Sequence, residues 1–299
     1  MDPLLSSVPG LMTPGNHDGE FEFGNSYWRA GEGGGDSGVG YALRFPGPGP
    51  ELSFGSSHTG AFNSTSLWWS VDAGPVHLVA TAGVLGFEPG TAQYKWLEAD
   101  LAAASTPAAR QLRPWIIVTN HYPLYCTLKA CNTPASRAGH ARRQRRGRGR
   151  RGGLPPPPGV LTINPERVRA ALEPLLLKYK VDGTFVGHNH NYERTHAVAN
   201  LALVSRGQAR PGHVGGRVYD RPGAPIHWVV GSGGADPDPT SAWKNKSEVP
   251  WLATQLFDDA RETTNWGWAK VVANTSCLHV QFMDSYHNNS GLDEVWITK

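Results

Sequence analysis

The stretch VGHNHNYERT, residues 186–195, places two histidines two positions apart directly after a short apolar run. The apolar run predicts a buried strand, and Gly187 allows a sharp backbone turn where that strand ends. His188 and His190 would then point into a cleft instead of along a sheet. Two imidazoles at this spacing indicate a metal site, so further ligands are expected from other strand ends.

Two more polar segments follow the same pattern. GNHD, residues 15–18, offers Asn16 and His17, and VTNH ends in His121 after the apolar run at 115–118. Imidazole suits Zn, Fe and Mn ions, and an asparagine carbonyl is a serviceable oxygen ligand. GNHD by itself is a weak signal because Asn, Gly and Asp are common turn residues. The three segments together predict a metal centre built from strand ends.

Strands and amphipathic helices alternate along the chain. LWWSVDAGPVHLVATA (67–82) predicts two strands around a turn, and TAQYKWLEADLAAA (91–104) and INPERVRAALEPLLLKYK (163–180) predict helices. The segment APIHWVVGSGG (224–234) predicts an apolar strand followed by a Gly-rich turn. This order predicts an α/β fold whose strand ends carry the chemistry. We expect one domain, residues 1–299, closed by antiparallel strands at about 264–299.

The formal charge of +3 comes from one tract. Eight of the 28 Lys and Arg residues lie in RAGHARRQRRGRGRR, residues 137–151, and the rest of the chain carries 20 basic against 25 acidic residues. The region at about 135–160 is rich in Arg and Gly and ends in four prolines, so we predict a disordered insertion. Arginine runs can follow phosphates, but this tract lacks aromatic residues for base stacking, so nucleic-acid binding is not expected.

Cysteines and sequons bear on the compartment. Cys126 and Cys131 could close a small disulfide loop, and Cys277 lies in a predicted strand. No apolar run approaches 18 residues and the first residues lack a signal-peptide pattern, so neither a membrane span nor a signal peptide is expected in this chain. Four N-glycosylation sequons favour a secreted or lumenal protein. They begin at Asn63, Asn245, Asn274 and Asn288.

GNHD, VTNH and GHNHNYER, in this order, resemble the metallophosphoesterases and, among them, the purple acid phosphatases. The likeness extends to STSLWWSVDAGPVHLVA, QYKWLEADL, RPWIIVTNHYPLYC and GAPIHWVVGSGG, which are similar to successive segments of that family. It covers most of the chain outside the Arg/Pro tract. The resemblance implies a sandwich of two mixed β-sheets flanked by helices (α/β/β/α).

The resemblance also implies a ligand set. Asn16, His121 and His188 would hold one metal and His190 would help hold a second, in a dinuclear centre of Fe with Zn, Mn or Fe. His17 would face the substrate phosphate and protonate the leaving alkoxide. The implied enzyme is an acid phosphatase, a hydrolase that attacks small-molecule phosphate monoesters with metal-bound hydroxide. Its implied location is secreted, vacuolar or lysosomal.

The chain departs from the family pattern upstream of GNHD. The family has an aspartate at a first strand end and then GDxxY, whereas here the only acid before Gly15 is Asp2. GDSGVGY, residues 35–41, follows GNHD and has Val39 where the motif needs Tyr. We therefore expect a fold incomplete at its N-terminal side and weak binding of the second metal, because no bridging carboxylate offsets the repulsion between the cations.

Three functional hypotheses stay open: a monoesterase, a catalytically impaired or inactive fragment or paralogue, and a phosphodiesterase of the same superfamily. Asp18, Tyr192, Glu193 and Arg194 either position ligands or serve ordinary loop packing. The segment YPLYCTLKACN (122–132) lacks the histidines that some family members use to contact substrate, so leaving-group recognition should differ. Structural or surface roles are predicted for the other histidines: His58, His77, His140, His196, His213, His227, His279 and His287.

Overall fold

The computed structural model describes residues 9–15, 41, 45–56, 60–64, 66–83, 87–128, 165–213, 215–234, 246–256, 265–286, 288 and 290–299. The Arg-rich region predicted as an insertion lies outside these residues. Among the described residues, no helix is long and apolar enough to cross a membrane.

The described residues form sixteen strands: β1 (Leu52–Ser56), β2 (Gly60–Ser64), β3 (Trp69–Ala73), β4 (Val76–Ala80), β5 (Trp115–Asn120), β6 (Gly183–Val186), β7 (Tyr192–Thr195), β8 (Ala197–Ala199), β9 (Ala202–Ser205), β10 (Gln208–Ala209), β11 (Arg217–Asp220), β12 (Ile226–Val230), β13 (Leu252–Leu256), β14 (Gly267–Ala273), β15 (Cys277–Asp284) and β16 (Ser290–Thr298). The predicted hairpin at 67–82 is confirmed as β3 and β4, which pair antiparallel.

Helices begin where the sequence supplies caps. The described helices are α1 (Ala92–Ala104), α2 (Pro107–Leu112), α3 (Pro165–Lys178) and a 3-10 turn at Lys246–Glu248. The Thr91 hydroxyl accepts a hydrogen bond from the Tyr94 amide, and the Thr106 hydroxyl accepts one from the Ala109 amide, both at 3.3 Å. These bonds satisfy amides that the first turn of a helix leaves without an intrahelical partner. Both helices predicted from apolar periodicity, α1 and α3, are confirmed.

Seven strands form the larger mixed sheet, in the order β13-β7-β12-β6-β5-β4-β3. Its four central strands, β12, β6, β5 and β4, run parallel, and the outer strands pair antiparallel. Parallel neighbours end at the same edge of a sheet, and in open α/β sheets ligands bind beyond that edge. Thr81, His121, Gly187 and Gly231, which directly follow these four strands, therefore lie along one edge.

Five strands form the second sheet, in the order β10-β11-β16-β15-β14. Strand β11 runs parallel to β16, whereas the remaining pairs are antiparallel. The closing strands predicted from the last part of the sequence are β14, β15 and β16. The described residues thus form two mixed sheets, and the predicted α/β sandwich is confirmed.

The period-two alternation of β5 separates two hydrophobic cores. Ile116 and Val118 face α1 and α3, and contribute to a core with Leu97 of α1. Trp115 and Ile117 point to the other side of the strand, into a core shared with β15 and β16 of the second sheet. Because each fully buried large apolar side chain stabilises the fold by about 1.5–3 kcal/mol, both faces fix the position of β5 and of the histidine that follows it.

Candidate metal centre

The rings of His121 and His188 meet at the carboxyl edge of the larger sheet. His121 follows β5 and His188 comes two residues after β6, and these strands are parallel neighbours. His188 Nδ1 lies 3.2 Å from His121 Nε2, and the ring centroids are 5.0 Å apart at 74°. Two histidines that are 67 positions apart in the chain are therefore brought together as the sequence pattern predicted.

The distance between these two nitrogens fits a pair of ligands on one ion. Nitrogen ligands at about 2.0–2.1 Å from a metal lie roughly 2.9–3.3 Å apart when the angle at the metal is roughly 90–109°. The observed 3.2 Å falls in this range. Neutral imidazole nitrogens are also the appropriate donor type for Zn, Fe or Mn.

The GNHD segment begins against the same ring. A Cβ atom placed on Gly15 would lie 3.0 Å from Cε1 of His121, so the backbone of Gly15 packs against the imidazole. The segment that leads to Gly15 is held at the end of β4, because Thr13 Oγ1 donates a hydrogen bond to the carbonyl of Thr81 at 2.9 Å. Asn16 and His17, predicted as a metal ligand and as the proton donor, lie outside the described residues. Their roles stay predictions.

His190 lies in the same loop as His188 and is partly exposed. Over the part of the chain that the structure describes, no group of three or more His, Cys, Asp or Glu side chains is close enough to hold an ion. The described contribution to the centre is therefore the His121 and His188 pair. The assignment of His190 to a second metal stays a prediction.

The loop after β6 is held in an uncommon conformation. His188 has φ +67°, a left-handed backbone that costs about 1–3 kcal/mol for a residue with a side chain. The Asn189 amide donates to the Gly187 carbonyl at 2.8 Å, and the Asn191 amide donates to the Asn189 carbonyl at 2.9 Å. Left-handed residues of this kind cluster at ligand sites, because the surrounding structure imposes the strain. The strain supports a functional role for His188.

Gly231 allows β12 to approach this loop closely. Its amide donates to the Asn191 carbonyl at 3.1 Å. A Cβ atom on Gly231 would lie only 1.8 Å from the carbonyl oxygen of Asn189, a position that no side chain can occupy. The Gly-rich turn GSGG therefore has a steric function, which is to let the histidine loop pack on the end of β12.

Glu193 ties the histidine loop to the segment that follows His121. Its buried carboxylate accepts hydrogen bonds from the Thr127 amide at 2.8 Å, the Thr127 hydroxyl at 2.6 Å and the Asn191 side-chain amide at 2.6 Å. The two loops that carry His121 and His188 are thus connected through one carboxylate. Glu193 holds the loops in place instead of facing the site.

Family comparisons agree with this geometry. A model described as calcineurin-like phosphoesterase matches residues 1–192, which is more than half of the chain. The chain belongs to the calcineurin-like phosphoesterase family. A second model, described as iron/zinc purple acid phosphatase-like protein C, matches residues 224–294 of the chain. The resemblance to purple acid phosphatases inferred from the three polar segments is confirmed.

The relatives that match this chain are longer proteins. "Acid phosphatase type 7" of Homo sapiens is 25% identical over 311 residues, an alignment that covers 100% of this chain and 55% of that protein. "Probable inactive purple acid phosphatase 9" of Arabidopsis thaliana is 27% identical over 297 residues, covering 96% of this chain and 38% of that protein. The chain therefore spans about half the length, or less, of these relatives.

A purple acid phosphatase from yellow lupin (Lupinus luteus) seeds has a similar fold. It superposes with a TM-score of 0.68 at 24% identity, covering 99% of this chain and 42% of that one. This likeness supports the sandwich of two mixed sheets described above. It shows the fold of this chain and leaves its activity to be argued from the site.

Two residues that shape the site were not singled out from the sequence. The ring of Tyr122 lies edge-on to both histidines, with centroids 4.9 Å from His121 and 4.6 Å from His188. The buried side chain of Asn120 donates to the Tyr122 carbonyl at 2.9 Å and fixes this turn. Asn120 and Tyr122 flank His121 in the sequence, and this proximity was the available signal. Proximity in the sequence does not reveal on which side of the turn each side chain lies.

The histidines outside the three polar segments form hydrogen bonds away from the candidate metal centre, where the structure describes them. The five that the structure describes have hydrogen-bonding partners away from His121 and His188. These pairs are His77 with Asp72 and Asp100, His196 with Tyr219, His227 with Thr184, and His213 and His279 with Glu294. The positions of His58, His140 and His287 lie outside the described residues.

Proposed function

We propose that the chain hydrolyses phosphate monoesters of small molecules at a dinuclear metal centre, as an acid phosphatase. The observation that carries the proposal is the 3.2 Å approach of His121 and His188 nitrogens at the carboxyl ends of neighbouring parallel strands. Membership of a phosphoesterase family supplies the chemical context. Monoester preference rests on relatives that are named acid phosphatases.

The proposed ligands are Asn16, His121 and His188 for one ion and His190 for the second, with Fe paired with Zn, Mn or Fe. When bound, such a centre neutralises the charge of the phosphoryl oxygens, which otherwise repels hydroxide, and lowers the pKa of water. Glu193 and Gly231 would keep the imidazole rings of His121 and His188 in position. His17 would contact the phosphate and donate a proton to the leaving oxygen, a role worth roughly 10²–10⁴-fold in rate.

A pair of esters tests the reaction class. The purified chain is assayed with p-nitrophenyl phosphate and with bis(p-nitrophenyl) phosphate, after incubation with Fe and Zn. We expect the monoester to be preferred and His188→Ala to abolish its hydrolysis, whereas His279→Ala, on the second sheet, retains it. Preference for the diester would replace the monoesterase by a phosphodiesterase.

An inactive, metal-poor protein is the second candidate. It is favoured by the similarity to a relative named probable inactive and by the finding that, in the described residues, only two of the predicted ligands converge. Fewer than one metal per chain together with no hydrolysis of either ester would support this candidate. Under that result the fold would serve binding instead of catalysis.

A secreted or lumenal location is proposed from covalent chemistry. Cys126 is disulfide-bonded and Cys277 is free, while Cys131 lies outside the described residues. Disulfides persist mainly in oxidising compartments. Two sequon asparagines, Asn274 and Asn288, are exposed, as glycosylation requires. A mass increase that is removed by glycosidase treatment of protein from a secretory host is the expected observation.

The Arg-rich tract is proposed to be a solvated insertion without a role in the site, and neither nucleic acid nor membrane is proposed as a partner. Deletion of residues 135–158 should therefore retain metal binding and phosphatase activity. Loss of both on deletion, in a chain that still folds, would show that the tract supports the site.

A further inference from the structure

An aromatic cleft lies at the junction of the two sheets. It has a volume of about 400 Å³ and is lined by the rings of Trp266, Trp268 and Tyr286 and by Ser232 and Ser285. This volume lies within the range of about 300–1,000 Å³ that small-molecule sites occupy. None of these residues was assigned a role by the motifs around the histidines.

The cleft is built directly onto the histidine loop. Ser232 follows Gly231, whose amide donates to the Asn191 carbonyl, one residue beyond His190. On its other side, the Ser232 carbonyl accepts from the Gly267 amide at 3.1 Å. The end of β12 thus contacts the histidine loop through Gly231 and lines the cleft through Ser232, so the cleft lies next to the loop that carries His188 and His190.

The cleft combines open aromatic rings with a buried hydroxyl. Trp268 is 45% exposed and Tyr286 is 57% exposed, and the rings of Trp266 and Tyr286 are tilted at 69° with centroids 6.4 Å apart. Ser232 is only 2% exposed, and within the described structure its Oγ atom has no hydrogen-bond partner. The exposed rings of Trp268 and Tyr286, and not the enclosed Ser232 hydroxyl, are therefore the surface that the cleft offers to a ligand.

We propose that this cleft binds the planar aromatic part of a phosphate ester, with the ring stacked on the side chains of Trp268 and Tyr286. The inference rests on the proposed function, since it places the phosphate at the candidate metal centre beside the cleft. The ring belongs to a nucleoside monophosphate or to a simple aryl phosphate.

Two esters with the same leaving alcohol isolate the contribution of the ring. Adenosine 5′-monophosphate and ribose 5-phosphate both release a ribose 5′-hydroxyl and differ in the base. We expect kcat/KM to favour the nucleotide by roughly tenfold, since stacking of one base on an aromatic side chain is typically worth this much or more. Equal values for the two esters in an active protein would overturn the cleft proposal.

Variants assign the preference to the cleft. Trp268→Ala should reduce the nucleotide preference several-fold, and Tyr286→Ala provides a second variant if the first does not fold. Val272→Ala is the matched control, because Val272 lies on the same strand and the same face, is exposed, and does not line the cleft. A preference that survives both aromatic substitutions, or is lost equally in the control, would contradict the assignment.

Phenyl phosphate distinguishes the two sources of the ring. If the ring is a nucleobase, Trp268→Ala should lower kcat/KM for adenosine 5′-monophosphate and leave that for phenyl phosphate unchanged. If aryl phosphates are also ligands, Trp268→Ala should lower kcat/KM for phenyl phosphate as well. An effect on neither ester would overturn the aromatic subsite.

A binding measurement without chemistry separates this inference from the proposed function. Adenosine, which has no phosphate, is titrated calorimetrically into the metal-free chain and into Trp268→Ala. Binding that is lost in the variant supports the cleft even if neither ester is hydrolysed, in which case the proposed function fails alone. Absence of adenosine binding in a chain that hydrolyses both esters equally would overturn the cleft and retain the function.

Discussion

Single residues determine how closely the histidine loop approaches the end of β12. The carbonyl of Asn189 occupies the space where Gly231 would carry a side chain, and a Cβ atom there would lie 1.8 Å from the carbonyl oxygen. The contact involves backbone on both sides, so no side-chain rotation can relieve it. The position of His188 and His190 therefore depends on the absence of a side chain at Gly231, directly after β12.

Gly231→Ala should displace the loop and destabilise the protein. Overpacking of this kind typically costs about 1–3 kcal/mol, and we expect a lower midpoint of thermal unfolding together with loss of metal binding. Gly233→Ala is the control for stability, because a Cβ atom on Gly233 would have no atom within 4 Å. Equal midpoints for the two variants would show that the loop is not packed as described.

His227 makes stability depend on acid pH. Burial, with a contribution from Arg169, lowers the pKa of His227 to about 3, whereas an unfolded histidine titrates near 6.5. Between these values the unfolded chain binds the extra proton, so stability falls as pH falls. His227→Asn should flatten the decline in unfolding free energy between pH 6.5 and 3, a decline on the order of 3–5 kcal/mol for this group.

His77 provides a control of opposite sign. Burial lowers its pKa, but hydrogen bonds and charge from Asp100 and Asp72 outweigh burial and raise the pKa above the usual value. Its contribution is fully present below about pH 6.5 and is lost as pH rises through the raised pKa. His77→Asn should therefore remove the gain in unfolding free energy that appears as pH falls through the raised pKa toward 6.5, and should leave the decline below pH 6.5 in place. Identical pH profiles for wild type, His227→Asn and His77→Asn would contradict both assignments.

At the scale of elements, β7 connects the histidine loop to the second sheet. Arg194 of β7 donates from Nε and Nη2 to the two carboxylate oxygens of Asp293 in β16, at 2.6 and 2.9 Å. Tyr192 Oη donates to the same carboxylate at 2.7 Å. All three side chains are buried. The two residues flanking Glu193 thus join the sheets, while Glu193 itself holds the loops.

Asp293→Asn should destabilise the sandwich strongly, because it leaves the guanidinium of Arg194 buried without a counter-charge. Breaking a buried ion pair in this way costs about 3–5 kcal/mol. The control is Asp220→Asn, which removes the partner of Arg221 in an exposed pair at 3.1 Å and should leave the unfolding free energy nearly unchanged. Similar denaturant midpoints for both variants would refute the structural role.

The sequence predicted elements better than their connections. Strand β5 and helices α1 and α3 were predictable because hydrophobic periodicity is local, and the convergence of His121 and His188 followed from their position after parallel strands. The partner of Arg194 is 99 residues away and that of Glu193 is 66 residues away. No local pattern specifies those partners, which is why loop packing and ligand positioning could not be distinguished from sequence.

At the scale of the whole molecule, a disulfide at Cys126 adds a covalent restraint to the two hydrophobic cores on either side of β5. The disulfide of Cys126 lies in the segment directly after the His121 turn, which packs into the core under α3 through the ring of Tyr125. Disulfides typically stabilise a fold by about 2–4 kcal/mol. The link therefore restrains the same segment that supplies Thr127 to Glu193.

Cys126→Ser should lower the unfolding free energy by about 2–4 kcal/mol, and reductant should have the same effect on the wild-type protein. Cys277→Ser is the matched control, since Cys277 is free, and its stability should be unchanged. Denaturant unfolding with and without reductant provides the measurement. A wild-type protein insensitive to reductant would show that the bond does not restrain the fold.

The central claim is that His121 and His188 bind one metal ion together. Equilibrium dialysis against Zn or Fe, followed by elemental analysis, measures it directly. The account predicts at least one tightly bound ion per wild-type chain, loss of that ion in His121→Ala and in His188→Ala, and retention in His279→Ala. Undiminished metal content in the His121→Ala, His188→Ala double variant would contradict it.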